Sequence, residues 1–278
     1  MGWVRLSHPF PSILDGLVAA GVALVAGASA TLAAGIALSM TLVQLGIGAI
    51  NDVVDADSDR GRKPDKPIPA GLVDPRRASA VAVSVFALGI LLALAIRPVL
   101  GLLMVGVAGI GLAYDLRLKG TAWSWLPFAA GIPLLPVAGW LGATGGLHPV
   151  FAVIVPASIA AGAALSVGNA LVDVERDRDA GATSVADRLG LRSSSRVVAG
   201  LLVAVGTLAI GSGVAVGAPR SALVAIAMLA VVPVAGAVIG AAAREPGGRE
   251  WAWRIEAVGL AGLAVTWLAI VVPLAPPT

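Results

Sequence analysis

Apolar residues in this chain come in long blocks separated by short polar stretches, with no two-residue alternation inside the blocks. Blocks rich in Ala, Leu, Val and Gly without that alternation favour helices over the strands of a barrel. The pattern predicts nine helical spans, at about 11–30, 32–52, 77–96, 98–114, 122–142, 149–170, 194–217, 220–243 and 252–273. Each is close to the ~20 residues that cross a bilayer. The long polar connections are 53–76 and 171–193, with shorter ones at 115–121 and 244–251. Pro127, Pro133 and Pro136 should kink the fifth span.

The first block could be taken for a leader, since Arg5 precedes it and Ala28-Ser29-Ala30 resembles a small-residue cleavage site. Hydrophobicity resumes at once, from Leu32 to Ile50, so two spans joined by a tight turn are expected instead.

Composition supports the membrane reading. Hydrophobic residues make up 58% of the 278 and charged ones 13%, with a mean hydropathy of +0.94. Soluble domains carry about 25% charged residues, so this chain has too few to coat a water-facing surface. The expected fold is an all-α integral membrane protein, one domain over 1–278, with nine transmembrane helices around a central cavity. The absence of cysteine excludes disulfides, thiolate catalysis and thiolate zinc sites. The two histidines, His8 and His148, should flank spans at opposite faces, which argues against a histidine-built metal site.

Charge then orients the spans. With a cytoplasmic N-terminus, 17 of the 19 Lys and Arg residues fall on the cytoplasmic side, and only Arg97 and Arg220 fall outside. The C-terminus is then expected outside. The two long polar connections also align with each other. Asn51, Asp55 and Asp59 correspond to Asn169, Asp173 and Asp177 at a constant offset of 118, and Arg60 and Arg178 follow at the same offset. Each set ends an even-numbered span, so the motif recurs after a four-helix unit, which implies parallel halves.

The spacing carries chemistry. Residues at i, i+4 and i+8 lie about 40° apart in succession on a 3.6-residue helix, so each triplet forms one stripe. Two such stripes offer four carboxylates and two amide oxygens, which repel unless cations bind among them. Hard oxygen ligands suit magnesium, which commonly bridges carboxylates to substrate phosphate. Asp52 and Asp57 fall off the stripe. Asp52 is expected as a supporting or solvated residue, and Asp57 as a solvated one.

Asn51-Asp52-Val53-Val54-Asp55-Ala56-Asp57-Ser58-Asp59 resembles the NDxxDxxxD motif of the UbiA superfamily of intramembrane prenyltransferases. Asp173-Val174-Glu175-Arg176-Asp177 resembles that family's second motif, DxxxD. Lys66-Pro67-Ile68-Pro69-Ala70-Gly71 is similar to its R-P-[IL]-x-x-G segment, with Lys in place of Arg, and 181–190 is similar to the stretch after the second motif. The resemblance implies an enzyme whose magnesium ions bridge the Asp residues to an isoprenyl diphosphate. The C–O bond ionises to an allylic cation, which a small-molecule acceptor, often an aromatic ring, captures. Expected partners are that diphosphate, the acceptor and membrane lipid, with no nucleic acid and no obligatory protein partner.

The resemblance also places a Tyr and a following basic residue on the diphosphate, here Tyr114 and Lys119, although Asp115 stands where the family commonly has Ser. Lys66, Arg62 and Arg117 are further candidates for a basic clamp, against the plainer reading of positive-inside anchoring. Gln44 lies seven residues before Asn51, on the same face and deeper in the membrane, where it could line the cavity or bond a neighbouring helix. Asp15 lies early in the first span, suited to a helix N-terminus or to a role toward the acceptor. Trp3, Trp123, Trp125, Trp140, Trp251, Trp253 and Trp267 are expected as an interfacial aromatic belt. A membrane terpene cyclase shares the ionisation step and differs only in lacking an acceptor. An ion-coupled transporter would place its acids at the midplane, whereas here they cluster at helix ends.

Overall fold

The computed structural model describes residues 9–275, apart from 62, 64, 65, 173, 180 and 182, with backbone only at 58, 176, 177 and 179. Arg62 and Asp173 therefore lie outside the described residues, as does the side chain of Asp177. The regular elements among the described residues are all helical. Eight helices are long and apolar enough to cross a membrane, and a ninth apolar helix, α1 (Pro9–Val25), is shorter. This matches the nine-span reading of the hydropathy pattern.

Two compact units make up the chain. The first, residues 1–117 with 134–147, holds α1, α2 (Ala30–Val54), the short α3 (Ala56–Asp59), α4 (Pro75–Ile96), α5 (Pro98–Ala113) and α7 (Leu134–Thr144). A π-helical turn, Tyr114–Leu118, extends α5. The second unit, residues 118–133 with 148–278, holds α6 (Leu126–Gly131), α8 (Phe151–Val172), α9 (Val174–Asp179) and α10 (Val185–Leu189). It continues with α11 (Leu191–Ala215), α12 (Arg220–Ala242) and α13 (Pro246–Val271). The fifth span is thus broken at Ile132–Pro133 into α6 and α7, as its prolines lead one to expect.

In the first unit the expected tight turn joins α1 to α2. Gly27 takes φ 87°, and Ser29 caps α2 by accepting a hydrogen bond from Leu32 N at 3.2 Å. Lipid supplies little hydrophobic drive between helices, so close contact of small residues has to hold them together. At Gly89 of α4 the backbone lies so near α2 that an added Cβ would come within 2.9 Å of Ser39 O. Ser39 Oγ in turn donates to Gly89 O at 2.8 Å. Arg97, the single residue between α4 and α5, donates from Nε to Gly142 O and from Nη2 to Ala143 O, at 3.0 and 3.2 Å. These are carbonyls at the end of α7, where a cation complements the helix dipole.

Tryptophans in the second unit depart from the belt expectation. Trp267 is buried and donates Nε1 to Ala209 O at 3.1 Å and to Ser212 Oγ at 2.9 Å. Trp253 donates to Leu165 O at 3.0 Å. In the first unit Trp140 is buried as well. A buried indole needs a partner for its N–H, and helix carbonyls supply it for Trp253 and Trp267. Trp123 and Trp251 are exposed, as belt residues would be.

Candidate functional site

The first acidic segment begins where α2 ends at Val54 and α3 starts at Ala56, leaving Asp55 at the junction. The helical register survives that junction. Asp55 N donates to Asn51 O at 2.9 Å, Asp59 N to Asp55 O at 2.8 Å, and Lys63 N to Asp59 O at 2.8 Å. Asn51, Asp55 and Asp59 therefore remain one turn apart in succession, as the sequence spacing requires. Asn51 and Asp55 are half-buried and Asp59 is buried.

The loop after α3 is pinned by its apolar residues. Ile68 and Val73 are buried against Ala49 and Ala56 on one side and Ala78 and Ala82 on the other. This anchors Lys66, whose Nζ lies 2.7 Å from Asp52 Oδ1 and 2.7 Å from Asp59 Oδ2. Burial acts to lower the Lys66 pKa, but hydrogen bonds and charge from Asp52 and Asp59 outweigh it and hold the ammonium above its ordinary value. Lys66 is thus a cation set between two buried carboxylates. Of the two roles expected for Asp52, the structure shows the supporting one. Asp52 is 2% exposed and ion-paired rather than solvated, because the returning loop covers its side of the helix. Asp57 is exposed and pairs with Arg60 at 3.5 Å, as expected of a solvated residue.

Two further contacts complete this end. Asn51 Nδ2 donates to Asp115 Oδ1 at 2.7 Å, and Asp115 is buried in the π-helical turn. With its nitrogen engaged there, Asn51 has its amide oxygen to offer a ligand. Gln44 Nε2 donates to Asp15 Oδ2, so of its two expected roles the structure shows the bond to a neighbouring helix. The segment expected as a loop from Asp115 is helical through Leu118; Tyr114 and Lys119 are half-buried and Arg117 is exposed.

The second acidic segment repeats the first. α8 ends at Val172, 118 residues after the end of α2, and α9 starts at Val174, 118 residues after the start of α3. Asn169 is half-buried near the end of α8. Glu175 on α9 takes a two-pronged bond from Arg249, Nη1 to Oε1 at 2.9 Å and Nη2 to Oε2 at 2.6 Å. That hydrogen bond holds the Glu175 carboxyl below its ordinary pKa. The chain after α9 is set by a capping box on α10, where Ser184 and Asp187 bond reciprocally.

The donor set fits magnesium. It consists of carboxylate and amide oxygens, and one of its carboxylates, Asp59, already holds a cationic group, the Lys66 ammonium, at 2.7 Å. Among the described residues no three His, Cys, Asp or Glu side chains converge on one metal position.

Sequence reading passed over Glu256, a buried acid on α13, and counted Arg249 only among the cytoplasmic-side charges, although it is buried. The signal for Glu256 was present, because an ionisable residue inside a membrane span points to a site by default.

Comparison with known proteins agrees with this picture. The sequence model of the UbiA prenyltransferase family matches residues 16–255. Digeranylgeranylglyceryl phosphate synthase of Methanoregula boonei is 33% identical over 206 residues, 70% of this chain and 71% of that protein. The synthase of the same name from Natronomonas pharaonis is 31% identical over 213 residues, 73% of this chain and 74% of that one. Among solved structures, a UbiA homolog from Archaeoglobus fulgidus bound to DMAPP and Mg2+ superposes with a TM-score of 0.72 at 21% identity, covering 95% of this chain and 99% of its own. The apo structure of a UbiA homolog from Aeropyrum pernix K1 gives 0.74 at 18% identity, over 96% and 99%.

Proposed function

The chain belongs to the UbiA prenyltransferase family, and from that premise we propose that it ionises an isoprenyl diphosphate with magnesium and transfers the prenyl group to a hydroxyl of a glycerophosphate-type lipid. It is an integral membrane prenyltransferase. The observation that carries the metal–diphosphate part of this reading is the unbroken register of Asn51, Asp55 and Asp59 through the α2–α3 junction. That register keeps three oxygen donors on successive turns at a helix end, and the same helix break recurs 118 residues later at the second motif.

In this reading Asn51, Asp55 and Asp59 at the first acidic end, and Asn169, Asp173 and Asp177 at the second, would hold magnesium. Magnesium, when bound, would neutralise the charge that develops on the departing diphosphate. The chain's own residues do the rest. Lys66 keeps Asp52 and Asp59 from repelling each other, and Asp115 fixes the Asn51 amide. Tyr114, Lys119, Arg117 and Arg62 are proposed to meet the diphosphate oxygens, where basic groups stabilise the leaving group most. The allylic C–O bond breaks with its electron pair going to diphosphate. The acceptor oxygen then bonds to C1, and its proton is lost to a base or to water.

An aromatic acceptor is what the family resemblance implies. The names of the relatives favour a glycerophosphate-type lipid, and they favour transfer over cyclisation. The test is product analysis of purified protein supplied with geranylgeranyl diphosphate and either a prenylglyceryl phosphate or hydroxybenzoate. A magnesium-dependent diether from the lipid acceptor is expected, with Asp55→Ala and Asp173→Ala each lowering turnover by about 10²-fold or more. Turnover that persists in EDTA would sink the ionisation step. Prenylation of hydroxybenzoate alone would overturn the acceptor, and a cyclic product from diphosphate alone would overturn transfer.

A further inference from the structure

Arg249 lies in the first turn of α13, where the helix dipole disfavours a cation. It is nevertheless 7% exposed, while its partner Glu175 has a side chain 53% exposed. An anchoring arginine would show the reverse, with its guanidinium among headgroups. A half-exposed carboxylate has little need of a partner, whereas a buried guanidinium needs one badly. The bond is therefore built from the Arg249 side, and what it holds is α9, the short helix that follows position 173 of the second acidic motif.

The helical period shows which side of α9 is held. Asp173 and Asp177 are four residues apart in sequence, and Glu175 is two from each. On α9 a two-residue step turns about 200°, so position 175 lies on the opposite side of that helix from position 177. Arg249 thus holds α9 from the side opposite position 177.

The surroundings of Arg249 are shaped to keep it there. Its Nε has no hydrogen-bond partner among the described residues, and neither does Oε2 of Glu256, which is 4% exposed. Glu256 is seven residues further along α13, on the same face, and both side chains line one small cavity of about 20 Å³ together with Gly168, Leu171 and Trp253. That volume suits a single water. Two glycines make room for the Glu256 side chain. A Cβ added to Gly168 of α8 would come 3.0 Å from Glu256 Oε2, and one added to Gly236 of α12 would come 2.8 Å from its Cγ. Gly168 directly precedes Asn169, the first residue of the second motif.

We propose that Arg249 is a positioning residue for the second acidic motif: its fork fixes α9 by way of Glu175, and the Glu256 cavity fixes Arg249 behind the end of α8. The proposal rests on the reading of that motif as a metal–diphosphate end. It takes part in the reaction only through the placement of Asp173 and Asp177.

The test uses the full chain in detergent with three variants. Arg249→Met keeps the apolar stem, Arg249→Lys keeps the charge, and Glu175→Gln alters a half-exposed side chain whose replacement leaves packing intact. Two quantities are read: amide hydrogen exchange over 174–179, and the Mn2+ concentration that half-saturates binding by electron paramagnetic resonance in the presence of prenyl diphosphate. Arg249→Met and Glu175→Gln should both speed exchange in α9 and raise the half-saturating Mn2+ concentration by about 10- to 100-fold, the range for lost supporting contacts at metal sites. Arg249→Lys should recover part of both. Wild-type values in both variants would overturn the proposal. So would faster exchange with unchanged Mn2+ binding, which marks a purely structural tie. If the unaltered protein binds Mn2+ and prenyl diphosphate but transfers no prenyl group, the transferase reading fails while the positioning result still stands.

Discussion

Lys66 shows how much a single residue's meaning depends on its neighbours. In sequence it is one of several basic residues in a polar loop. In the structure its ammonium is 2.7 Å from each of two buried carboxylates. Removing the cation takes a shared partner from two buried carboxylates, a situation that typically costs on the order of 3 kcal/mol. Lys66→Met is expected to lower the melting temperature. Added magnesium should restore more stability to the variant than to the unaltered protein, because the carboxylates then take a metal cation in place of the lost one. A thermal melt with and without magnesium reads this directly, and equal magnesium shifts in both proteins would count against it. The pH dependence follows from the raised Lys66 pKa. Stability from a raised basic group is fully present below its unfolded value of about 10.4 and is lost only as pH climbs through the folded value above it. Lys66 should therefore add no titration step between pH 6 and pH 9, roughly. Glu175 has the opposite sign. Its carboxyl is held low, so its contribution is present above the unfolded pKa of about 4.3 and fades as pH falls further.

At the scale of elements, the acidic ends depend on departures from straight helix. The α2–α3 junction keeps its i to i+4 bonds, and the π-helical turn Tyr114–Leu118 carries the buried Asp115 to the Asn51 amide. Such turns, with a wider hydrogen-bond step than an α-helix, are frequent at functional sites. Asp115→Ala would leave the Asn51 N–H short of an acceptor and is expected to destabilise the protein by about 1–3 kcal/mol. Asp115→Asn keeps an acceptor oxygen and should be tolerated. If Asn51 offers its oxygen to the metal, Asp115→Ala should also raise the magnesium requirement of turnover, whereas Asp115→Asn should leave it unchanged. Equal magnesium dependence in the two variants would remove Asp115 from the site. The fifth span teaches the same lesson from the side of packing. It reads as one apolar block, yet Pro133 breaks it, and α6 and α7 fall into different compact units.

For the whole molecule, the repeat found in the motifs extends through the fold. The ends of α2 and α8, and the starts of α3 and α9, all keep the 118-residue offset of the aspartates. By the positive-inside rule the basic residues favour the cytoplasmic side for both acidic ends, and that is the orientation we propose. The chain has no cysteine, so single introduced thiols report topology without background. Ala70→Cys, in the first polar connection, should be labelled by a membrane-impermeant maleimide only after the cytoplasmic face is opened. Gly146→Cys, in an exposed turn after α7 with open space at its Cβ position, should be labelled on intact cells. The reverse pattern would invert the proposed orientation.

The sequence alone determined the helical membrane class, the span layout, the two acidic motifs and their register. Hydropathy and four-residue spacing are local properties, written in consecutive residues. Which polar side chains share a partner was decided only by tertiary structure. Asp52 lies off the motif stripe and reads as either supporting or solvated until the loop returns Lys66 over it. Gln44 meets Asp15 across 29 residues, Asn51 meets Asp115 across 64, and Glu175 meets Arg249 across 74. Such pairings depend on how helices pack, and single-chain patterning does not encode packing at that distance. Burial separates the tryptophans in the same way. Trp267 and Trp251 look alike in sequence near span ends, but only the first finds a helix carbonyl inside the protein for its N–H.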